Sequence, residues 1–246
     1  MKNILFFIII FLANIIHGIT GFAGTVLAMP FSIRLVGYEV AKPILNVLGI
    51  LSGLYVFAGN RKQVEWKEVC KIVGIMTVGI LGGIFIKGLF AGKQAILYKL
   101  LGLFVIALAV LGLVKVFEGE KTKTENEQRF SRWNYILLPL AGIVHGIFVS
   151  GGPLLISYLT TRIKDKDRFR ATISTVWIFL NTVILLDDIR SGYWTKELLE
   201  VQMISVPFLF AGMFIGGCLV KRMSQKKFMK ITYVLLIISG LSLLVK

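Results

Sequence analysis

The chain has two histidines, His17 and His145, and their placement is the strongest chemical signal in the sequence. They lie 128 positions apart, and each is followed by Gly-Ile in the middle of a long uncharged run. An imidazole can gain or lose a proton near neutral pH, and ionisable groups inside a membrane are candidates for function. The pair therefore predicts a proton-sensitive binding site. The alternative is two neutral rings that only form hydrogen bonds between helices.

Glycines follow both histidines and predict breaks in the helices that carry them. The first set is Gly18, Gly21 and Gly24, and the second is Gly146, Gly151 and Gly152. A break frees backbone N–H groups at the start of the next half-helix, where the helix dipole also favours an anion. Thr20 and Ser150 lie within the breaks and add hydroxyl donors. The alternative role of these glycines is close packing between helices.

Two asparagines in other apolar runs, Asn46 and Asn181, are predicted to line the same cavity. The alternative is that they only link two helices by hydrogen bonds. No Lys or Arg is expected deep in the membrane, so backbone and hydroxyl donors would hold the anion. The predicted substrate-binding residues are His17, Gly18, Thr20, Gly21, Gly24, Asn46, His145, Gly146, Ser150, Gly151, Gly152 and Asn181.

Neither an enzyme nor a cofactor or metal site is predicted. The only two cysteines, Cys70 and Cys218, are far apart and lack metal-like spacing. The sequence has no serine elbow, zinc motif or phosphate-binding loop.

Composition places these residues in an all-α polytopic membrane protein. Of 246 residues 56% are hydrophobic and 17% are charged, against about 25% charged in ordinary soluble domains. The apolar runs are too many and too long for a soluble core. The net charge of +15 lies in short loops beside these runs, which indicates membrane topology and contact with anionic lipid rather than nucleic-acid binding.

Eight apolar segments are predicted to be helical. They span residues 4–33, 43–59, 72–90, 100–117, 133–161, 171–186, 201–220 and 231–245. A polar cytoplasmic linker, 118–132, separates an N-terminal four-segment repeat, 1–117, from a C-terminal one, 133–246. The first and fifth segments correspond, and Gly82–Gly83 of the third aligns with Gly216–Gly217 of the seventh. Duplicated halves with broken helices around a central site are typical of transporters.

The first segment of each repeat is overlong for one span and is predicted to turn back as a re-entrant hairpin. If both segments cross the membrane, Lys and Arg are divided almost evenly between the two sides. If both turn back, about two thirds of the 28 Lys and Arg fall on one side, which the positive-inside rule prefers. The two repeats would then be inverted. A kinked helix that crosses the membrane is the alternative.

Two motifs resemble the TauE/SafE family, also called the toluene sulfonate uptake permease family. The first joins Thr20, Gly21 and Phe22 to Pro30, and the second is the Gly-Gly-Pro motif at 151–153 that leads to Tyr158. The resemblance covers the whole chain. It implies a multi-pass secondary transporter of the cell membrane for sulfur-containing anions such as sulfite, sulfonates or sulfoacetate, often an exporter.

The predicted function is therefore transport of a small anion, with the lipid bilayer as surroundings and the proton as candidate coupling ion. No nucleic-acid partner is expected. An anion channel is the first alternative, because the same backbone donors would serve it. A membrane-embedded enzyme is the second.

Overall fold

A computed structural model describes residues 2–89, 126–149 and 151–244, together with residues 99, 102, 103, 106, 107, 109, 110, 113 and 114. Most of the fourth predicted segment, residues 118–125 of the linker and Ser150 lie outside the described residues. The described elements are all helical, so the all-α class is confirmed for them.

The helices are named here in chain order. They are α1 (Lys2–Thr20), α2 (Ala23–Val36), α3 (Tyr38–Asn60), α4 (Trp66–Leu89), α5 (Asn126–Phe148), α6 (Gly152–Arg162), α7 (Lys166–Arg190), α8 (Lys196–Lys221) and α9 (Gln225–Leu244), with a 3₁₀ turn at Arg61–Gln63. The first predicted segment thus holds α1 and α2, and the fifth holds α5 and α6. Residues 126–132 of the predicted linker form the start of α5.

Four stretches of the described residues are long and apolar enough to cross a membrane. They are Tyr38–Gln63, Trp66–Phe85, Lys166–Arg190 and Lys196–Lys221. The apolar helices of the two Gly-rich segments, Ile4–Thr20 and Ile136–Ile147, are shorter than a standard span of about 20 residues.

Both Gly-rich segments break at the same point after the histidine. Gly21 and Val149 each lie four residues after it and adopt positive φ, +83° and +53°. Each also donates its N–H to the carbonyl of that histidine at 2.7 Å, Gly21 to His17 and Val149 to His145. A left-handed backbone costs an L-residue about 1–2 kcal/mol, which glycine avoids and Val149 does not.

Each break reverses the chain, so α1–α2 forms a first hairpin and α5–α6 a second. A β-carbon at Gly24 would lie 2.7 Å from the His17 Cβ and 2.8 Å from the Ala13 carbonyl oxygen. A β-carbon at Gly151 would lie 2.8 Å from the His145 Cβ. In a single kinked helix these residues would be about 10 Å apart along the axis. Glycine allows the two arms to touch.

The chain folds into two compact units, and each takes helices from both predicted repeats. Unit 1 comprises Met1–Val73 and Lys166–Met223, and unit 2 comprises Gly74–Asp165 and Ser224–Lys246. The first hairpin packs in unit 1 with α3, α7 and α8. The second hairpin lies in unit 2 with most of α4 and with α9.

Close glycine contacts join α1 to α8 within unit 1. A β-carbon at Gly18 would lie 2.9 Å from the Met213 carbonyl oxygen and 3.0 Å from the Gly216 Cα. A β-carbon at Gly212 would lie 2.6 Å from the Phe11 carbonyl oxygen. Small residues let two helix backbones approach this closely and gain van der Waals contact.

The same contacts recur inside unit 2 between α4 and α5. Gly79 meets the carbonyl of Pro139, which is 128 positions after Phe11, and Gly83 meets Ile143, 128 positions after Ile15. Gly79 and Gly83 therefore match Gly212 and Gly216. The sequence alignment of Gly82–Gly83 with Gly216–Gly217 is wrong by one residue, because Gly82 and Gly217 face open space.

Candidate functional site

The tip of the first hairpin, residues 20–23, is held against α7. The Ser174 hydroxyl donates to the Gly21 carbonyl oxygen at 3.2 Å. A β-carbon at Gly21 would lie 2.9 Å from the Ser174 Oγ and 3.1 Å from the Arg170 Cγ. Glycine is thus required here both by its positive φ and by the close approach of α7.

Thr20 caps the second arm of this hairpin. Its hydroxyl accepts the N–H of Ala23 at 3.1 Å and of Phe22 at 3.4 Å, and donates to the Ile16 carbonyl at 2.9 Å. The predicted hydroxyl donor therefore serves the helix itself. No hydrogen bond among the described residues uses the Gly24 N–H, which remains a donor at the start of α2.

His17 is buried, with 2% of its surface exposed, and contacts α3. Its Nε2 lies 3.1 Å from the Ser52 Oγ, and the Ser52 hydroxyl donates to the Gly49 carbonyl at 3.0 Å. When the single Ser52 proton goes to the Gly49 carbonyl, Nε2 carries a proton and donates it to Ser52. Protonation of Nδ1 would then decide the charge of the ring.

Asn46 and Asn181 meet between α3 and α7, and the cavity that they were predicted to line remains a prediction. The Asn46 Nδ2 donates to the Asn181 carbonyl at 3.0 Å. The Asn46 Oδ1 is fully buried and has no hydrogen-bond partner among the described residues. The asparagine pair thus links two helices, and the Asn46 Oδ1 remains as a hydrogen-bond acceptor for a further donor.

Positions 46, 49, 52 and 53 of α3 lie on one helical face, and α7 approaches that face closely. A β-carbon at Gly53 would lie 2.8 Å from the Ser174 carbonyl oxygen. His17, Asn46, Ser52 and Asn181 therefore form a polar strip within unit 1.

Two buried basic side chains, Lys42 and Arg170, were not anticipated from the sequence. Lys42 is 1% exposed, forms an ion pair with Asp188, lies 3.9 Å from Asp187 and stands 5.7 Å above the Tyr193 ring. Arg170 is 7% exposed, and its Nε has no hydrogen-bond partner among the described residues. The polar stretches at 34–42 and 162–170 suggested surface loops.

A signal for Arg170 was nevertheless present. Arg170, Ser174 and Asn181 recur at spacings of four and seven, which places them on one helical face. Extending the polar face of α7 back from Asn181 would have included the arginine.

The second hairpin repeats part of this arrangement in unit 2. His145 is 2% exposed, and Gly151 and Gly152 are buried. Gly146 packs against the Ile80 carbonyl oxygen, as Gly18 packs against that of Met213. Gly18 and Gly146 therefore serve helix packing. The two hairpins belong to different compact units, and a cavity shared by both remains a prediction.

A cavity of about 290 Å³ lies elsewhere in unit 1 and contains none of the predicted site residues. Its lining includes Glu39, Glu197, Tyr193 and Thr195. Two carboxylates make it a poor site for an anion.

Comparisons with known proteins agree with these features. A family model described as Sulfite exporter TauE/SafE matches residues 6–243. The probable inner membrane transporter protein TsaS of Comamonas testosteroni is 25% identical over 189 residues, covering 75% of this chain and 74% of that protein. An uncharacterized protein of Archaeoglobus fulgidus is 31% identical over 90 residues, covering 35% of this chain and 60% of that protein. No solved structure matches the chain.

Proposed function

The chain belongs to the sulfite exporter TauE/SafE family, and from this premise we propose that it is a secondary transporter that exports a small sulfur-containing anion. It is a multi-pass transporter of the cell membrane rather than an enzyme. The substrate class proposed is sulfite, a sulfonate or a sulfoacetate-type anion. The observation that carries the proposal is the family match, which covers nearly the whole chain.

The first hairpin supports the placement of the substrate site. Its tip interrupts an apolar segment with Thr20, Gly21 and the Gly24 N–H, next to the polar strip of His17, Ser52 and the two asparagines. Irregular backbone at membrane depth is tolerated only where it is buried or lines a cavity. An anion would bind at this tip and, by the internal repeat, at its counterpart around His145.

An inverted repeat is part of the proposal. The positive φ and matching histidine-carbonyl bonds of Gly21 and Val149, and the matched contacts of Gly212 and Gly79, support it. Repeats of this kind provide alternating access around a fixed site.

The proton is the coupling ion we propose, and His17 is the group that would accept it. An anion bound near this ring would favour a second ring proton by charge attraction, and the linkage is reciprocal. Anion and proton would then bind together.

A thermal-shift screen of the purified protein tests the substrate class. Sulfite, sulfate, thiosulfate, sulfoacetate, taurine and simple carboxylates are compared, and at least one sulfur-containing anion should raise the melting temperature. Binding at 100 times Kd adds about 2.7 kcal/mol of stability. A chain stabilised only by carboxylates would contradict the substrate class.

Flux in proteoliposomes tests the transport mechanism and the site. Saturable uptake with counterflow is expected, whereas unitary conductance would identify a channel. Gly24→Leu should abolish flux because the two arms touch there, and Gly59→Leu, in open space, is the matched control. Wild-type flux in both variants would remove the hairpin from the mechanism.

A further inference from the structure

Arg170 lies where the first hairpin meets α7. It is the fifth residue of α7 and one turn before Ser174, the residue that donates to the Gly21 carbonyl. Its Cγ is 3.1 Å from the position that a Gly21 β-carbon would take. The Arg170 side chain therefore lies between α7 and the tip of the first hairpin.

The positive charge of Arg170 has no direct partner among the described residues. Two other cations of unit 1 form ion pairs, Lys42 with Asp188 and Arg168 with Glu65. Arg170 takes part in none of these ion pairs, its Nε lacks an acceptor, and only 7% of the residue is exposed. Asp167, one turn earlier, and Tyr55 act on it electrostatically without a hydrogen bond.

The Arg170 Nε is enclosed without an acceptor, which is costly because burial removes the water that would satisfy it. A side chain of this kind does not stabilise the empty protein. It fits a site that an anion completes, since the planar fork of five N–H donors suits the oxygens of an oxyanion.

We propose that Arg170 supplies the positive charge that binds the anion at the tip of the first hairpin. This inference rests on the proposed transport of a sulfur-containing anion. The Ser174 hydroxyl donates to the Gly21 carbonyl and holds the tip against α7, and the charge of Arg170 acts on the His17 ring. The anion would therefore bind to the guanidinium and the start of α2 together.

Binding to the purified full-length protein tests this role. Wild type, Arg170→Gln, Arg170→Lys and Arg168→Gln are compared by thermal shift with sulfite, thiosulfate, sulfoacetate, acetate and phosphate. Arg168 is exposed and paired with Glu65, so it is the matched control on the same helix. Charged hydrogen bonds predict at least a tenfold rise in Kd for Arg170→Gln and no change for Arg168→Gln.

Stability without anion distinguishes binding from a structural role. Arg170→Gln should melt at or above the wild-type temperature, because an uncompensated buried charge has been removed. A lower melting temperature with anion affinity within twofold of wild type would overturn the inference. If Arg170→Gln does not fold, Arg170→Lys decides: a several-fold loss of affinity is expected with the fork removed, and unchanged affinity overturns the inference.

The two proposals fail in different ways. A wild type that no anion stabilises contradicts the proposed function and the inference with it. A wild type stabilised by sulfur anions equally with Arg170→Gln contradicts the inference alone. Stabilisation by acetate or phosphate only, lost in Arg170→Gln, contradicts the substrate class and supports the role of Arg170.

Discussion

Gly21 joins two requirements at one residue, a positive φ and an empty β-position beside α7. Gly21→Ala should add backbone strain of about 1–2 kcal/mol and also displace Ser174 and Arg170. Gly192→Ala is the matched control, because Gly192 also has positive φ but nothing within 4 Å of its β-position.

Melting temperatures of the two variants and their anion affinities measure the difference. We expect Gly21→Ala to melt lower than Gly192→Ala and to lose anion binding. Equal effects on both properties would mean that the tip does not need this close approach.

His17 provides a test of proton coupling. In His17→Gln the amide can still donate to Ser52, but it cannot take a second proton. If anion binding is coupled to a proton on His17, the wild type should bind more tightly at pH 6 than at pH 8, while the variant should remain flat. Arg170 is the charged group of the described residues whose charge acts on His17, so an anion there would change the ring's proton affinity.

Calorimetry with sulfoacetate measures this, since the charge of that anion is constant between these pH values. His145→Gln is assayed in parallel, because His145 is the corresponding residue of the second predicted repeat. An affinity of the wild type that does not depend on pH ends the coupling hypothesis.

At the scale of single residues, the sequence predicted candidate site residues but not the side chains that contact them. His17, Gly21 and Asn46 were predictable from type and position. Ser52 lies 35 positions from His17, and Ser174 lies 153 positions from Gly21, so these contacts depend on which helices become neighbours. Arg170 was missed because a basic stretch between apolar segments suggests a solvated loop.

The pair of α3 and α7 is held at one end by the buried ion pair of Lys42 and Asp188. Lys42→Met should lower stability by about 3–5 kcal/mol, because it removes the positive charge that pairs with the buried Asp188 carboxylate. The double variant with Asp188→Leu should recover most of that loss. Lys71→Met is the control, since its pair with Glu68 is partly exposed and should contribute at most about 1 kcal/mol.

Thermal unfolding in detergent measures all four proteins under one condition. A double variant as unstable as Lys42→Met would show that the ion pair does more than neutralise Asp188. Asp187, 3.9 Å from the ammonium, and the Tyr193 ring would then be the groups to examine.

Element boundaries followed the sequence where glycine acts locally. Both breaks occur within the predicted glycine-rich motifs. The positive φ of Gly21 is a local property of glycine, whereas that of Val149 is imposed by its surroundings. The residue-by-residue alignment of α4 with α8 as corresponding helices could not be derived in this way. Each helix has an adjacent glycine pair, and only contact with α5 or α1 distinguishes Gly83 and Gly216 from the open Gly82 and Gly217.

The two compact units of the folded chain do not coincide with the two repeats predicted from the sequence. Apolar periodicity locates membrane segments but does not say which of them pack together. The compact units exchange helices between the predicted repeats, with α7 and α8 beside the first hairpin and α4 beside the second. This exchange would keep each repeat from folding alone.

Topology is the test at the scale of the whole chain, and α5–α6 is the segment that decides it. If these helices form a re-entrant hairpin, Ser131 and Lys164 flank it on the same side, the cytoplasm. If they cross the membrane, the two residues lie on opposite sides. The second hairpin and the distribution of Lys and Arg both favour the first arrangement.

Cysteine labelling of intact cells separates these outcomes. Cys70 and Cys218 are exposed on the protein and are first replaced by serine. Ser131→Cys and Lys164→Cys should react with a membrane-impermeant maleimide only after permeabilisation. Ser191→Cys, beyond the far end of the spanning helix α7, should react from outside and serves as the positive control. Because one crossing of α5–α6 would expose one member of the first pair, strong labelling of either in intact cells would exclude the inverted arrangement.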